Sequence, residues 1–292
     1  MLLRGCLVAA VLVLGATGTV GRHVLKRLSE TGVEVVGASR DPGTAAKRAG
    51  TGVPFVELDY DRRSTFTSAL RRISKVFMAV RPGDEQADVT GVPFVHEMSR
   101  HKVEQVVLLS AMGAELRDDF ALRKIELAIE TSGMKFTFLR PNWFMQVFSS
   151  GSLLQGIKAN GMIALPAGQA RISYIDARDV ADVAVESLID PSRQGKGYTL
   201  SGPQALGHEE IAAVLSSALG RSIRYIALAE DEARHRLKQA GFPEEWVERL
   251  IGFYRLVRGG WCAHVVDQMA GLLKHAPRTF DDFASEYSAC WR

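Results

Sequence analysis

The 292-residue sequence has few cysteines and no metal-binding spacing. Its three cysteines, Cys6, Cys262 and Cys290, form no Cys-x-x-Cys pair and leave an odd one over. Cysteines used in this way are typical of packing thiols in the reducing cytoplasm. The seven histidines form no His-Glu-x-x-His or similar ligand spacing. We therefore predict a cytoplasmic protein that binds no metal.

The sequence also lacks a strong net charge and a long apolar run. The formal net charge is +3, and the lysines and arginines are dispersed, so we expect no nucleic-acid partner. No unbroken apolar run reaches the roughly 18 residues of a membrane-spanning helix, so we expect no membrane partner. The apolar N-terminus resembles a signal peptide. Because it leads directly into a glycine motif, we interpret it as a first strand with a short leader.

The most informative pattern present is the glycine motif Gly15-Ala16-Thr17-Gly18-Thr19-Val20-Gly21. An apolar run over residues 6–14 precedes the motif, and an amphipathic helical segment follows it. Glycines allow a backbone to approach a pyrophosphate closely, and a helix N-terminus offers free N–H groups to the anion. The order of strand, turn and helix therefore predicts dinucleotide binding. A tight turn without a ligand is the alternative.

Apolar segments alternate with amphipathic helices through the first half of the chain. This alternation predicts a Rossmann-like, doubly wound parallel sheet, with residues 1–141 forming an NAD(P)-binding domain. We expect residues 142–292 to form a smaller, mainly helical substrate lobe with elements that return to the core. The predicted strands are 6–14, 33–38, 53–58, 75–80, 103–109 and 135–139, with later strand-like pieces at 161–165, 171–175, 198–200 and 223–227. The predicted helices include 62–72, 84–101 and 118–132, and an aromatic stripe (Phe280, Phe283, Tyr287) predicts a docked terminal helix.

The end of the second strand distinguishes the two nicotinamide cofactors. An NAD site places an acid there for the ribose 2′-hydroxyl, whereas an NADP site places a cation against the 2′-phosphate. Here the strand ends at Ser39 and Arg40, and the nearby Asp41 suits the N-cap of the next helix. Arg40 offers a bidentate contact and Ser39 a hydroxyl. We predict NADPH rather than NADH, unless Arg40 is only a solvated loop charge.

The ends of the next strands supply further candidates. Asp59 follows the third strand and could bind the adenine amine or only form a turn. Ala79, Val80 and Arg81 end the fourth strand and should pass under the ribose and pyrophosphate, although Arg81 could point to solvent. Ser110 ends the fifth strand beside the expected nicotinamide. It could donate to a substrate oxygen or simply end the strand.

One catalytic pattern is absent. Many dehydrogenases and sugar epimerases use a Tyr-x-x-x-Lys pair, in which the lysine lowers the pKa of the tyrosine. None of the six tyrosines has a lysine four residues later. We therefore expect a reaction that does not depend on this acid–base pair.

Taken together, several segments make the chain resemble the NmrA-like atypical short-chain dehydrogenase/reductases over essentially its whole length. Within that family it is similar to NADPH quinone reductases, azo and triphenylmethane dye reductases, and ergot-type iminium reductases. Besides the glycine motif, the resemblance is carried by Leu109-Ser110-Ala111-Met112-Gly113-Ala114, Leu139-Arg140-Pro141-Asn142-Trp143-Phe144-Met145-Gln146, Tyr174-Ile175-Asp176-Ala177-Arg178-Asp179-Val180-Ala181 and Thr199-Leu200-Ser201-Gly202-Pro203-Gln204-Ala205-Leu206.

This resemblance implies specific site residues. It implies that Arg40 holds the 2′-phosphate. It also implies that the pyrophosphate is lined by the glycine motif, namely Gly15, Thr17, Gly18, Thr19, Val20 and Gly21. Residues 141–144 would bracket the nicotinamide and the substrate, with Pro141 and Asn142 on the cofactor and Trp143 and Phe144 on the substrate. Met112, from the segment after the fifth strand, is a further candidate for substrate contact.

Two departures from the family pattern bear on this expectation. Many relatives carry His or Lys where this chain has Leu122, so Lys124 and Ser110 are the catalytic candidates that remain. Many also have Gly-Phe or Gly-Asn where this chain has Asn142-Trp143. The bulky Trp143 should narrow the pocket toward flat aromatic or conjugated substrates.

These observations predict an NADPH-dependent reductase that transfers hydride to a conjugated acceptor such as a quinone, azo or iminium compound. One alternative is a redox-sensing NADP(H)-binding regulator that docks through the basic residues between Arg234 and Lys238. Another is a reductase dedicated to one biosynthetic intermediate. A homodimer is compatible with the sequence.

Overall fold

The computed structural model of the chain describes residues 10–81 and 83–292. The strands in this part are β1 (Ala10–Val13), β2 (Val35–Ser39), β3 (Phe55–Glu57), β4 (Ile73–Met78), β5 (Gln105–Leu109), β6 (Lys135–Pro141), β7 (Met162–Leu165), β8 (Arg171–Ile172), β9 (Lys196–Leu200), β10 (Leu206–Gly207) and β11 (Arg224–Ala227). The helices are α1 (Gly21–Ser29), α2 (Pro42–Ala49), α3 (Phe66–Ala69), α4 (Ala87–Arg100), α5 (Ala121–Glu130), α6 (Gly151–Asn160), α7 (Ala177–Ile189), α8 (His208–Leu219), α9 (Glu230–Gln239), α10 (Glu244–Arg258), α11 (Met269–Leu272) and α12 (Phe280–Glu286).

The main sheet has seven strands in the order β3-β2-β1-β4-β5-β6-β9, and every neighbouring pair is parallel. Leu12 in β1 lies opposite Val36 of β2 on one side and Val76 of β4 on the other. The strand order reverses between β1 and β4, and in such sheets ligands bind at the carboxyl ends beside that point. The predicted Rossmann-like parallel sheet is confirmed. Residues 6–9 of the predicted first strand lie outside the described residues.

The central strands are apolar because both of their faces are covered. All four residues of β1 are buried, and Val106, Val107 and Leu108 of β5 have no exposed surface. Parallel strands that are packed on both faces require such continuous apolar runs, whereas a strand with one solvated face alternates. The rigid sheet holds the strand ends that carry the candidate site residues.

The helix predicted over residues 62–72 is wrong in its length. The chain there forms a 3-10 turn at Arg63–Thr65 followed by the single-turn helix α3. The Thr65 hydroxyl donates to the Arg62 carbonyl at 2.7 Å and accepts from the Asp59 N–H at 3.0 Å, which favours a tight turn over a helix start. Arg72 then adopts a φ of 61°, so the helix ends and β4 begins.

The chain divides into two compact units. The first contains the residues before Asn142 together with Ala177–Leu200. The second contains Asn142–Asp176 and Ser201–Arg292. The strand-like piece predicted at 198–200 is β9 of the main sheet, with Tyr198 opposite Leu139 of β6. The chain therefore returns to the first unit to complete its sheet.

The second unit has its own aromatic core. Phe148, Phe280, Phe283 and Trp291 are fully buried, and the Trp291 indole donates to the Phe148 carbonyl at 2.8 Å. The predicted docked terminal helix is confirmed as α12. Cys262 and Cys290 are free thiols, both half-buried. Among the described residues, no helix combines the length and apolarity needed to cross a membrane.

Truncating Phe94 of α4 should strongly destabilise the first unit. Its ring has no exposed surface and packs edge-on against Phe66 at 5.0 Å and Tyr60 at 5.8 Å between ring centroids. Phe94→Ala should lower the free energy of unfolding by about 3–5 kcal/mol, because a cavity remains where the ring was. Val89→Ala on the same helix, 57% exposed, should change it by less than about 0.5 kcal/mol. Urea denaturation measures both, and equal effects would contradict the assigned core.

Candidate active site at the carboxyl edge of the sheet

The glycine motif forms a tight turn between β1 and α1. Gly15 adopts a φ of 63°, and its carbonyl accepts a hydrogen bond from the Gly18 N–H at 2.8 Å. A Cβ added to Gly21 would lie 2.2 Å from the Gly15 carbonyl oxygen, and one added to Gly18 would lie 3.1 Å from it. Only glycine fits at position 21, because the backbone of the turn occupies the space of a side chain.

The turn presents its polar backbone groups outward. Gly15, Gly18 and Thr19 are exposed, and Thr17 is half-buried, while Val20 and Gly21 are buried beneath them. Helix α1 has no side-chain N-cap and no acid in its first turn. Within residues 10–81 and 83–292, the N–H groups of residues 19–21 have no hydrogen-bond acceptor. Free N–H groups at a helix N-terminus suit an anion such as a pyrophosphate, so the residues present fit a dinucleotide.

The end of β4 lies directly against this turn. A Cβ on Gly15 would lie 3.3 Å from the Cβ of Ala79, so the two strand ends are in contact. Ala79 and Val80 are half-buried, and the Ala79 carbonyl accepts from the Tyr60 hydroxyl at 3.2 Å. The structure therefore brings Gly15, Ala79 and Val80 together at the point where the strand order reverses.

The two charged candidates of this region are engaged locally. Arg81 forms an ion pair with Asp61, which raises the pKa of the guanidinium. Asp59 accepts from the Asp61 N–H at 3.2 Å and from Arg62 Nε at 3.3 Å. Burial alone would raise the pKa of Asp59, but these hydrogen bonds lower it overall. The geometry supports the turn role of Asp59, and an adenine contact stays a prediction.

Arg40 is an available cation at the end of β2. Its side chain is exposed, and in the described part of the chain it has no ion-pair or hydrogen-bond partner. Asp41 is turned away, since its carboxylate accepts from the Thr44 N–H at 3.1 Å and caps α2, as predicted. The Ser39 hydroxyl accepts from the Asp41 N–H at 3.2 Å. The Ser39 hydroxyl also donates to the Asp41 carbonyl at 3.2 Å, so the group that this position offers to a ligand is the Arg40 guanidinium.

Ser110, at the end of β5, has a partner that the sequence did not reveal. Its hydroxyl donates to Glu126 Oε1 at 2.7 Å, and Glu126 in α5 has no exposed surface. A hydroxyl has one proton, so the expected donation from Ser110 to a substrate oxygen is not available in this geometry. The sequence contains a signal for Glu126: it interrupts the apolar face of α5 between Ile125 and Ile129, which are both buried.

Two arginines neutralise the buried Glu126. Arg140 of β6 donates from Nε to Oε1 at 3.0 Å and from Nη2 to Oε2 at 2.7 Å. Arg123 donates from Nη1 to Oε2 at 3.0 Å. Burial alone would lower the pKa of Arg140, but its bonds to Glu126 raise the pKa overall, so the guanidinium stays charged. Both carboxylate oxygens of Glu126 therefore accept from guanidinium N–H groups, which can only donate.

Lys124, the other catalytic candidate, lies on the surface of α5. Its ammonium group is 3.0 Å from Asp88 Oδ2 of α4, and its side chain is 47% exposed. Because Ser110 is buried against Glu126 while Lys124 pairs with Asp88, the structure does not bring the two candidates into contact.

Met112 and Pro141 join the ends of β5 and β6. The Met112 N–H donates to the Pro141 carbonyl at 3.1 Å. Pro141 is buried, and Met112 is half-buried. Both residues therefore lie at the carboxyl edge of the main sheet, where the predicted site requires them.

Asn142, Trp143 and Phe144 belong to the second unit. The Asn142 amide nitrogen donates to Ser173 Oγ and to the Cys262 carbonyl, both at 2.8 Å, and its oxygen accepts from the Trp143 N–H at 2.9 Å. Both of its N–H donors are therefore used inside this unit. The half-buried Trp143 ring lies 5.3 Å from Tyr254, and Phe144 is half-buried.

The basic residues considered for docking are neutralised within the second unit. Arg234 pairs with Glu230, Asp231 and Glu248. Arg236 pairs with Glu232, and Lys238 with Glu244. The pairs with Glu248 and Glu244 join α9 to α10, and the others lie within α9, so these acids balance the positive charge of the segment.

The parallel sheet and the glycine turn with its free N–H groups are typical of enzymes that use a nicotinamide dinucleotide. The model of the NAD(P)H-binding family matches residues 15–191, so the chain belongs to this family. The resemblance to the NmrA-like atypical short-chain dehydrogenase/reductases and the prediction of an NAD(P)H-dependent oxidoreductase are thereby confirmed.

Several known proteins similar to the chain are named reductases. It is 30% identical to an NAD(P)H azoreductase of Xenophilus azovorans over 285 residues, which cover 96% of this chain and 99% of the relative. It is 34% identical to a (4-alkanoyl-5-oxo-2,5-dihydrofuran-3-yl)methyl phosphate reductase of Streptomyces griseus, covering 95% and 98%. The fold matches that of the NADPH-dependent quinone oxidoreductase QOR2 of Escherichia coli, solved with NADPH, with a TM-score of 0.82, 22% identity, and 95% and 99% coverage.

Gly21→Ala should strongly weaken dinucleotide binding. The new methyl group would overlap the Gly15 carbonyl, a backbone atom, so the turn must shift and its N–H groups lose their alignment. Isothermal titration with NADPH should show at least about a tenfold loss of affinity. Gly252→Ala has open space around it and serves as the matched control. Wild-type affinity in Gly21→Ala would rule out the turn as the binding site.

Proposed function

We propose that the chain is an NADPH-dependent reductase that transfers hydride to a conjugated small-molecule acceptor of the quinone, azo or iminium type. The observation that carries the cofactor preference is the exposed Arg40 directly after β2, which forms no hydrogen bond or ion pair with the described residues, while the carboxylate of the next residue, Asp41, caps α2. An NAD site would place a carboxylate there for the ribose hydroxyl. The free, half-buried thiols of Cys262 and Cys290 support a reducing, cytoplasmic location.

The two halves of the main sheet assign the two ends of the dinucleotide. In doubly wound sheets each half binds one mononucleotide, and the pyrophosphate lies at the helix after the first strand. Arg40, directly after β2, supports a position of the adenosine end over β1–β3. The nicotinamide end would then belong to β4–β6, where Ala79 and Ser110 directly follow their strands and Pro141 ends β6.

The bound cofactor supplies the hydride, and the protein residues provide positioning. Ser110 and Lys124 are engaged with Glu126 and Asp88, and the Tyr-x-x-x-Lys pair is absent. Quinones, azo compounds and iminium ions are electrophilic enough that orientation over the nicotinamide accounts for much of the rate. The engaged side chains therefore favour acceptors that need little acid catalysis.

Aromatic contacts support a flat acceptor. Trp143 and Phe144 follow β6 within three residues of its end at Pro141, and both rings are half-buried. The Tyr254 ring beside Trp143 holds the indole in place. A fixed aromatic ring stacks on a planar conjugated molecule at little entropic cost. The names of the azoreductase and quinone oxidoreductase relatives agree with this acceptor class.

Arg40→Glu should weaken NADPH binding much more than NADH binding. The substitution removes a charge-assisted contact of about 1.5–3 kcal/mol, so NADPH affinity should fall about ten- to a hundredfold. Arg48→Glu makes the same charge change on an exposed residue of α2 and should have a much smaller effect. Fluorescence titration with both nucleotides measures the difference. Unchanged NADPH affinity would show that Arg40 is not the phosphate ligand.

The wild-type protein should oxidise NADPH in the presence of quinones, azo dyes or cyclic iminium compounds. Trp143→Ala should raise KM for a planar acceptor by about two- to tenfold, because one aromatic contact is lost, and leave NADPH affinity unchanged. Trp261→Ala, which removes a 54% exposed indole of the same unit, is the matched control. Absorbance at the NADPH band follows the reaction. Background rates across all three acceptor classes would refute the proposed reaction.

A further inference from the structure

The hydrogen bond between Ser110 and Glu126 determines whether the serine hydroxyl acts as a donor or as an acceptor toward a ligand. Arginine N–H groups contact both oxygens of Glu126, so this carboxyl group accepts hydrogen bonds, and the 2.7 Å contact uses the single hydroxyl proton of Ser110. With its proton used, Ser110 Oγ can only accept hydrogen bonds from any other group. A ligand group beside this hydroxyl must therefore bring its own N–H or O–H.

We propose that Ser110 accepts a hydrogen bond from the carboxamide N–H of the bound nicotinamide, and that Glu126 is the positioning residue that enforces this polarity. The inference rests on the proposed function, since it needs a nicotinamide at the β4–β6 half. The carboxamide is the N–H donor that the cofactor brings in every turnover, whereas simple quinones and azo compounds bring none.

The surroundings of Glu126 keep Ser110 as the donor in their hydrogen bond. Glu126 accepts one bond from Ser110, two from Arg140 and one from Arg123, and the carboxylate has no exposed surface. If Ser110 donated its hydrogen bond to another group, the buried Glu126 carboxylate would lose one donor, which is strongly unfavourable. The serine is therefore a preorganised acceptor, and its 6% exposure restricts it to a group that approaches the strand end directly.

The position of Ser110 supports this assignment. Its N–H donates to the Leu139 carbonyl at 2.7 Å, so the residue is held in the ladder between β5 and β6. β5 is the middle strand of the half assigned to the nicotinamide. A purely structural link between β5, α5 and β6 would use the same hydrogen bonds, so the test needs a measurement that such a link does not affect.

The measurement is discrimination between NADP⁺ and its 3-acetylpyridine analogue, in which a methyl group replaces the carboxamide NH₂. Isothermal titration gives the ratio of their dissociation constants for each variant. Loss of one neutral hydrogen bond corresponds to about three- to tenfold. The wild type should bind NADP⁺ more tightly than the analogue by at least this factor. In folded Ser110→Ala, the ratio of the two dissociation constants should fall by the same factor.

Two further variants examine Glu126. Glu126→Gln places an N–H against the Arg140 guanidinium or Ser110, so the serine proton is no longer fixed and the ratio should also fall. Glu130→Gln is the matched control, because Glu130 pairs with Arg123 at 3.1 Å and does not contact Ser110; its ratio should equal that of the wild type. Thermal melts report folding, and if Glu126→Gln does not fold, Ser110→Ala decides.

The outcomes separate the two proposals. The inference would be overturned if folded Ser110→Ala showed the same ratio of dissociation constants as the wild type. It would also be overturned if the wild type did not prefer NADP⁺ over the analogue. Either result would leave the proposed function intact. A wild-type ratio in folded Glu126→Gln would overturn the role of Glu126. If neither nucleotide binds the wild type, the proposed function itself fails.

Discussion

The close approach of β1 and α1 at the glycine turn is the constraint on which the cofactor site depends. Gly21 packs against the Gly15 carbonyl at a distance that no side chain would allow. This contact starts α1 directly after β1 and leaves the N–H groups of the turn facing outward. β2 and β4 flank β1 in the sheet, so Arg40 and Ala79, which follow these two strands, lie at the same carboxyl edge as the turn. A change in the turn would therefore alter every contact that the strand ends make with a nucleotide.

The parts of the structure that follow local rules could be predicted from the sequence. The strand, glycine turn and helix at the start of the chain are contiguous, and the Asp41 cap acts on a residue three positions away. β9 was harder to place, because its partner β6 lies more than fifty residues earlier in the chain. Its short apolar stretch resembles the other strand pieces of the second half. Only the tertiary pairing shows that it completes the main sheet.

The sequence indicated where the candidate residues lie relative to the strand ends, but not which hydrogen bonds they make there. The structure places Gly15, Arg40, Ala79, Ser110 and Pro141 at the carboxyl edge, since the ends of parallel strands share one edge. Sequence could not give the polarity of Ser110, because this depends on a carboxylate sixteen residues away and on an arginine from β6. Charged residues within apolar segments, such as Glu126 and Arg140, were the available signal for such a network.

The return of the chain to the first unit has a consequence for its synthesis. β9 pairs with β6 only after the intervening residues 142–195 have been made, and the unpaired edge of β6 is exposed until then. Parallel pairing between strands that are distant in sequence forms slowly. Until it forms, the exposed edge strand can pair with another chain. During translation the nucleotide-binding sheet therefore stays incomplete until most of the protein has left the ribosome. A fragment ending at Pro141 would have a permanently open edge and a strong tendency to aggregate.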